Sequence, residues 1–168
     1  MRECNKDFFY EIDLDEDFNV HNIFWVNAHS RSTCKYFGDI VTLDTTYLAN
    51  RYDMPFAPFV GLNHDGKSIL LGYGLLSAEY TRSITWLFET WLRCMSSKAP
   101  MGIVTNQCKA MHNAIKVVFP NTRHRWCLWH IMRKIAEKLK GYVVYEEIKN
   151  AMKNCVYDSL LVNDFVVG

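Results

Sequence analysis

The sequence lacks any long apolar segment, and this absence excludes one broad class of protein. No apolar run in its 168 residues approaches the roughly 20 residues that a helix needs to cross a bilayer. The segment from Met1 to Asp7 also has no apolar core of the kind found in secretory signal peptides. With 49% hydrophobic residues, the chain is still long enough to bury one sizeable core. We therefore expect a soluble, intracellular, single-domain protein with no membrane partner.

The sequence also lacks an excess of charge of either sign. A net charge of +1 argues against a strong overall attraction to nucleic acid or to a membrane surface. The charges are nevertheless unevenly placed, with seven acids in residues 1–20 and six bases in residues 121–140. Charge runs of this kind are commonly just the solvated face of an element, so a binding role is only one interpretation.

Closely spaced cysteine pairs are absent as well. The six cysteines include no Cys-x-x-Cys pair and stand far apart, at positions 4, 34, 94, 108, 127 and 155. A small secreted protein held together by disulfides would show a denser framework. We therefore expect reduced thiols.

Segments of strand and helix character follow one another along the chain, and their order predicts the fold class. We expect a hairpin from residues 8–13 and 22–26, a short helix capped by Ser30, and strands at 39–46, 57–62 and 68–76. The spacing of apolar residues then predicts a helix from Ser83, a strand at 101–105, a helix at 111–118, a strand at 122–126, and helices from residues 128 and 145. Antiparallel strands that lead into β–α units indicate an α/β protein with a mixed sheet and helices on both faces.

Two predicted strands end on small polar residues. Val41-Thr42-Leu43 leads to Asp44, and Val104-Thr105 leads to Asn106. Open α/β sheets present metal-binding carboxylates at the carboxyl ends of their strands, and a two-metal nuclease site needs several acids. Asp44 is therefore a candidate Mg²⁺ or Mn²⁺ ligand, whereas Asn106 is neutral where a second acid is expected. Two plainer roles stay open, because Asp44 suits a turn and Asn106 suits the amino cap of the helix after Gln107.

Cys127-Leu128-Trp129-His130 forms a second constellation. Positions i and i+3 of a helix face the same way, so Cys127 and His130 are candidate ligands of one zinc ion. Zinc prefers four ligands, and the nearby candidates for the others are His124, Cys108 and His112. The alternative is a buried thiol beside a hydrogen-bonded histidine. Nucleophilic catalysis by Cys127 is disfavoured, since no substrate or oxyanion site accompanies the pair.

Basic residues surround this constellation. Arg123, Arg125, Arg133 and Lys134 are interleaved with Trp126 and Trp129. Such a set can contact the DNA backbone without reading base sequence. It is also what the solvated side of an amphipathic helix looks like, and no DNA-recognition signature decides between the two.

Four longer segments resemble one known family, the transposase-derived domain of the plant far-red-impaired-response proteins. The resemblance rests on residues 37–47, 54–61, 86–91 and 119–131, which read FGDIVTLDTTY, MPFAPFVG, WLFETW and FPNTRHRWCLWHI. That family comprises transcription regulators derived from Mutator-like transposases. It implies a ribonuclease-H-like fold, a nuclear location and a core over residues 37–141. Residues 1–36 then lead into this core as a hairpin and short helix, and residues 142–168 begin a helical insertion that we expect to be truncated.

The resemblance also assigns roles to single residues. Asp44 matches the first acid of the transposase Asp-Asp-Glu triad, and Asn106 stands where the second aspartate is usual. Cys108 replaces an acid common two positions later, and the third acid would lie beyond the helical insertion. Cys127 and His130 match the family's Cys-x-x-His element.

The resemblance thus implies a catalytically degenerate domain that regulates transcription. We expect contacts with other transcription regulators or family members, including homo- or heterodimers, and at most weak DNA contacts. Zinc at Cys127 and His130 and residual Mg²⁺ or Mn²⁺ at Asp44 are the expected metals. The alternatives are a fragment of an active Mutator-like transposase and a zinc-stabilised interaction module.

Overall fold

The computed structural model describes residues 8–45 and 52–157, which contain a seven-stranded sheet and five α-helices. The elements in chain order are β1 (Phe9–Leu14), β2 (Val20–Val26), α1 (Ala28–Phe37), β3 (Ile40–Leu43), β4 (Phe56–Leu62), β5 (Ser68–Leu76), α2 (Thr81–Cys94), β6 (Gly102–Thr105), α3 (Lys109–Val118), β7 (Arg123–Trp126), α4 (Leu128–Leu139) and α5 (Tyr145–Tyr157). The chain divides into two compact units, Met1–Trp126 and Cys127–Gly168. The predicted boundaries after residues 36 and 141 stay predictions.

The sheet is mixed, as the order of elements predicted. Its strands are arranged β1-β2-β5-β4-β3-β6-β7. In this spatial order, neighbouring strands from β1 to β3 are antiparallel. Strand β3 pairs in parallel with β6, and β6 pairs in parallel with β7. This arrangement confirms the α/β class and the ribonuclease-H-like expectation. It also brings the carboxyl ends of β3, β6 and β7 to one edge, which positions the site described below.

The hairpin of β1 and β2 forms around the acidic turn that its sequence suggested. The Asp15 carboxylate accepts hydrogen bonds from the backbone N–H groups of Asp17 and Asn19, at 3.0 and 2.8 Å. In this Asx turn, hydrogen bonds to a side chain take the place of the backbone hydrogen bonds between the two strands. Phe18 adopts the left-handed conformation there, with φ of 62°.

Two predicted boundaries are wrong in detail. Helix α1 is capped by Asn27, whose side-chain oxygen accepts from the backbone N–H of Ser30 at 2.7 Å. Ser30 is therefore the third helical residue, and the helix begins at Ala28 because asparagine is at least as good an acceptor at this position. Strand β3 begins at Ile40 and ends at Leu43. Asp44 and Thr45 follow outside the strand, and Thr46, the last residue of the predicted strand, lies outside the described residues.

Aromatic packing between the sheet and α2 forms the centre of the core. The rings of Phe59 and Trp91 stack with their centroids 5.1 Å apart. The ring of Phe88 packs edge-on against Phe59 with a centroid distance of 6.2 Å. Phe119, after α3, contacts both helical rings. All four side chains are almost fully buried. The helical spacing from Ile84 to Met95 predicted that Phe88 and Trp91 face the core, and their burial confirms it.

Gly72 allows Trp91 to sit this close to the sheet. A bulge between β4 and β5 places Gly72 at φ of +146°, and the Trp91 indole N–H donates to the carbonyl of the preceding Leu71 at 3.2 Å. A Cβ atom at position 72 would lie 3.1 Å from the Phe24 ring. The bulge, the indole hydrogen bond and the close ring packing therefore depend on one residue without a side chain.

Unit Cys127–Gly168 contains the two remaining helices. Helix α4 is amphipathic, and an exposed ion pair between Arg133 and Glu137 at 2.8 Å lies on its polar face. Helix α5 carries Glu146 and Glu147 in its first turn, where negative charge suits the helix dipole. Within the described residues, no helix is long and apolar enough to span a bilayer.

Substituting Gly72 by alanine tests the packing of the bulge. We expect Gly72→Ala to lower the free energy of unfolding by about 1 to 3 kcal/mol, because the backbone is strained and the Phe24 ring must move. Urea denaturation followed by tryptophan fluorescence measures the change. Gly141→Ala is the matched control, since a Cβ atom at position 141 meets nothing within 4 Å. An equal effect of both substitutions would contradict the role assigned to Gly72.

Candidate functional site

The parallel register of β3 and β6 brings the two predicted strand-end residues together. Leu43 pairs with Thr105. The residues that follow them, Asp44 and Asn106, are therefore neighbours at the carboxyl ends of the two strands. The side-chain amide of Asn106 donates a hydrogen bond to the Asp44 carboxylate at 3.2 Å. The predicted proximity of the two residues is confirmed.

The orientation of the Asn106 amide follows from its other neighbour. Its oxygen accepts a hydrogen bond from the backbone N–H of Cys108 at 2.9 Å. If the amide were flipped, two donors would face each other at Cys108 and two oxygens would face each other at Asp44. Asn106 therefore presents N–H groups, and no oxygen, to the carboxylate.

Asn106 does not cap α3 in the predicted way. The N-cap of α3 is Cys108, which makes no side-chain capping bond, and the helix begins at Lys109. Asn106 instead closes an Asx turn two residues earlier. The short asparagine side chain reaches the N–H group two residues ahead, and the helix begins three residues after it, at Lys109.

This geometry does not suit a two-metal site. A cation shared by Asp44 and Asn106 needs an oxygen from each, so the amide would have to rotate and leave the Cys108 N–H without its acceptor. Across residues 8–45 and 52–157, no group of three or more His, Cys, Asp or Glu side chains is arranged to hold a metal ion. The residues present therefore do not fit the divalent-cation site of a transposase, and no chemical step is assigned to Asp44.

Glu79 was not among the predicted site residues. It lies at the same edge, because β5 runs in the same direction as β3. The hydroxyl group of Thr45, a buried residue, donates a hydrogen bond to the Glu79 carboxylate. This bond holds the residue after Asp44 against the connection that leads into α2. Since Glu79 stands in a short connection without periodicity, the sequence carries no signal for the contact.

A pair of histidines lies next to Asn106 in the hydrogen-bond network. His124 on β7 and His112 on α3 face each other through their Nδ1 atoms, which are 3.3 Å apart. The Nε2 atom of His124 lies 2.8 Å from the hydroxyl oxygen of Thr105. That hydroxyl group also contacts the carbonyl of Asn106 at 2.8 Å. Hydrogen bonds thus connect Asp44, at the strand end, with His112 on the helix.

The proton positions in this network are determined by its one unambiguous acceptor. The backbone carbonyl of Asn106 can only accept a hydrogen bond, so the single proton of the Thr105 hydroxyl group points toward it. Thr105 must then accept from His124, and the Nε2 atom of His124 carries a hydrogen. A neutral His124 consequently turns the bare lone pair of Nδ1 toward His112.

Burial keeps His124 in this neutral form. Desolvation lowers the pKa of His124 below its ordinary value, and the neighbouring His112 and Arg125 lower it further. All three effects disfavour the positively charged form of the His124 ring.

The predicted zinc pair lies in the first turn of the other unit. Cys127 occupies the N-cap position of α4 without a side-chain capping bond, and His130 follows three residues later. The ring of His130 packs edge-on against Trp129 at 4.7 Å. Both Cys127 and His130 are half-buried. Zinc binding by this pair stays a prediction.

The four predicted DNA-backbone residues are divided between two elements. Arg123 and Arg125 are exposed and, being two residues apart, lie on the same face of the edge strand β7. Arg125 also donates a hydrogen bond to the backbone carbonyl of His124 at 3.0 Å. Lys134 is exposed on α4. Arg133 pairs with Glu137 and lies 5.4 Å from the Trp129 ring centroid.

Comparisons with known proteins identify relatives over almost the whole chain. A family model described as MULE transposase domain matches residues 40–134. The chain is 40% identical over 165 residues to FAR1-related sequence 6 of Arabidopsis thaliana, and 42% identical over 166 residues to FAR1-related sequence 5. It is 38% identical over 166 residues to far-red impaired response 1 of the same plant. Each match covers 98% of this chain but only 23%, 21% and 20% of the relative, so the chain spans about a fifth of their length.

The pH dependence of stability tests the environment of His124. Its pKa is lowered in the folded protein, so below the ordinary histidine pKa of about 6.5 the unfolded chain takes up a proton that the folded chain resists. We therefore expect the free energy of unfolding to fall as the pH drops through this value, and His124→Gln to flatten that part of the curve. Urea titrations across this range measure it. His29→Gln, at an exposed position of α1, is the control, and an unchanged slope in His124→Gln would refute the assignment.

Proposed function

Because the chain belongs to the MULE transposase domain family and has FAR1-related proteins as relatives, we propose that it is a non-catalytic, transposase-derived regulatory domain. In this proposal it serves a nuclear regulator of transcription and acts through contacts with other regulators or family members, and through weak contacts with the DNA backbone. The relatives are about five times longer than this chain, so the activity of a complete protein forms part of the proposal.

The contact between Asn106 and Asp44 carries the proposal. Two-metal strand transfer needs carboxylates from separate strands to hold the cations that stabilise the attacking and leaving oxygens. Here the second strand supplies an amide, and the amide turns its N–H toward the remaining carboxylate. The negative charge at this edge is therefore smaller, and Asp44 is used in holding two strand ends together.

Arg123 and Arg125 support the DNA part of the proposal. Both guanidinium groups project from one face of an exposed edge strand, so they can reach two phosphates of one backbone. Contacts of this kind add affinity and salt dependence but do not distinguish base sequences. The net charge of +1 limits such binding to a weak interaction.

Zinc at Cys127 and His130 is a second part of the proposal. The two residues stand at i and i+3 at the start of α4, a spacing that lets a thiolate and an imidazole share one ion. In this role the ion would stabilise the start of the helix and take no part in strand transfer.

A DNA nicking assay tests the absence of catalysis. We expect purified protein with Mg²⁺ or Mn²⁺ to leave supercoiled plasmid intact at the same level as the Asp44→Ala variant, because one carboxylate cannot hold the required pair of cations. Gel electrophoresis of the plasmid measures nicked and linear products. Metal-dependent nicking that disappears in Asp44→Ala would overturn the proposal in favour of a fragment of an active transposase.

Asn106→Asp provides the positive arm of this experiment. The aspartate can still accept from the Cys108 N–H, and it places a second carboxylate beside Asp44. At a hundred times the dissociation constant, Mn²⁺ binding adds about 2.7 kcal/mol to the free energy of unfolding, or roughly 5 to 11 °C in a chain of this size. We expect that thermal shift in the variant and none in the wild type. Asn113→Asp, at an exposed position of α3, controls for the added charge.

Substituting both arginines of β7 tests the DNA contact. Each phosphate contact contributes about 0.9 to the slope of log affinity against log salt, so Arg123→Ala with Arg125→Ala should lower that slope by about 1.8. The loss of affinity should be the same for unrelated DNA sequences. Fluorescence anisotropy at several salt concentrations measures both quantities. The control is Lys67→Ala with Arg82→Ala, which removes two exposed charges elsewhere, and equal slopes for the two double variants would argue against a role of β7.

A further inference from the structure

We propose that His112 and His124 form a binding site for a divalent transition-metal ion, with Zn²⁺ as the best-suited ion. This site uses neither Asp44 nor the Cys127 and His130 pair. The site lies between α3 and β7. Behind it, the Thr105 hydroxyl group accepts a hydrogen bond from the His124 ring. The proposal rests on the distance between two ring nitrogens, on the tautomer of one ring and on the buried support behind it.

The separation of the two ring nitrogens fits one ion. Zinc binds histidine nitrogen at about 2.0 to 2.1 Å, and a tetrahedron of that size places two ligand atoms about 3.3 to 3.4 Å apart. The Nδ1 atoms of His112 and His124 are 3.3 Å apart, in the directions of a hydrogen bond. An ion in this position leaves the distance between the two nitrogens unchanged, and each ring turns so that its lone pair points at the ion instead of at the other nitrogen.

The tautomer of His124 is already the one that a metal ligand requires. Its Nε2–H donates to the Thr105 hydroxyl oxygen, so the Nδ1 lone pair points toward the other ring. A metal-bound histidine almost always donates its second ring N–H to a fixed acceptor, which holds the ring in place. Thr105 is completely buried and its own proton is fixed by the Asn106 carbonyl, so this acceptor cannot turn away.

His112 has to change its tautomer when the ion binds. In the free protein one proton lies between the two Nδ1 atoms, and His124 cannot carry it, so His112 does. On binding, that proton leaves Nδ1 of His112 and a proton from water is taken up at Nε2. Both rings are neutral before and after, so the ion adds its full charge and no proton is released overall.

The chemistry of the donors selects the class of ion. Neutral imidazole nitrogen suits Zn²⁺, Cu²⁺, Ni²⁺ and Fe²⁺, whereas Mg²⁺ and Ca²⁺ prefer oxygen. Water molecules complete the coordination. The bound ion would tie α3 to β7 and, through Thr105 and Asn106, to the end of β3.

A nitrogen NMR experiment tests the site directly. Zn²⁺ is added to the full chain labelled with ¹⁵N, and long-range ¹⁵N–¹H spectra report each imidazole nitrogen and its tautomer. We expect the Nδ1 signals of His112 and His124 to shift together at one equivalent, with His112 changing from the Nδ1–H to the Nε2–H form. His29 and His64, which are exposed, serve as internal references. Signals of His112 and His124 that stay unchanged with excess Zn²⁺ would overturn the proposal.

Two variants separate this site from the predicted zinc pair of α4. Thr105→Val keeps the shape of the buried side chain but removes the acceptor for His124, and we expect it to weaken Zn²⁺ binding by about 10- to 100-fold. Cys127→Ser with His130→Gln should leave the His112 and His124 shifts in place. If that double variant abolishes those shifts, the ion belongs to α4 and the proposal fails. Thermal unfolding without metal confirms that each variant is folded before Zn²⁺ is added.

Discussion

The parallel pairing of β3 with β6 is the constraint on which the rest of this site depends. One register, Leu43 with Thr105, sets three relationships at once. It places Asp44 beside Asn106, it turns the Thr105 side chain toward the layer between sheet and helix, and it fixes where β7 continues the sheet. A shift of one residue would move every side chain on β6 to the opposite face and separate all of these groups. The buried side chains of Val41 and Leu43 on β3 and of Ile103 on β6 enforce this register, because a slip would turn them out of the core.

The replacement of an acid by an amide changes the character of the strand edge without disturbing its form. An aspartate and an asparagine have nearly the same shape, and both can close the turn to Cys108. The asparagine differs in offering N–H groups, so it bonds to the neighbouring carboxylate where an aspartate would repel it. The scaffold thereby exchanges a pair of mutually repelling charges for a hydrogen bond. In this structure the Asn106 amide and the Asp44 carboxylate join the ends of β3 and β6.

The sequence predicted the parts of this structure that depend on periodicity and on strand ends. Parallel strands must finish at the same edge, so Asp44 and Asn106 could be placed together before their distance was known. The helical spacing of apolar residues likewise identified α2 and its buried rings. The caps of α1 and α3 were misplaced because serine, cysteine and asparagine neighbours compete for the same N–H groups, and only the backbone angles decide among them. The link from Thr45 to Glu79 joins distant segments, and local patterns carry no trace of such a contact. His112 and His124 stood out as candidate zinc ligands, but their spacing along the chain did not show that the two rings face each other.

The two arginines of β7 also oppose the addition of a further strand to the edge of the sheet. Within the residues that the structure describes, β7 is the last strand on one side of the sheet, and it is only four residues long, with the sequence Arg-His-Arg-Trp. An unpaired edge is a template on which another chain can add a strand and start an aggregate. A second copy adding here would have to bury guanidinium groups next to its own, and the short strand offers few backbone groups in return. The same side chains that we propose for phosphate contacts thus keep neighbouring molecules apart, so this edge would retain its charge even in a protein that never met DNA.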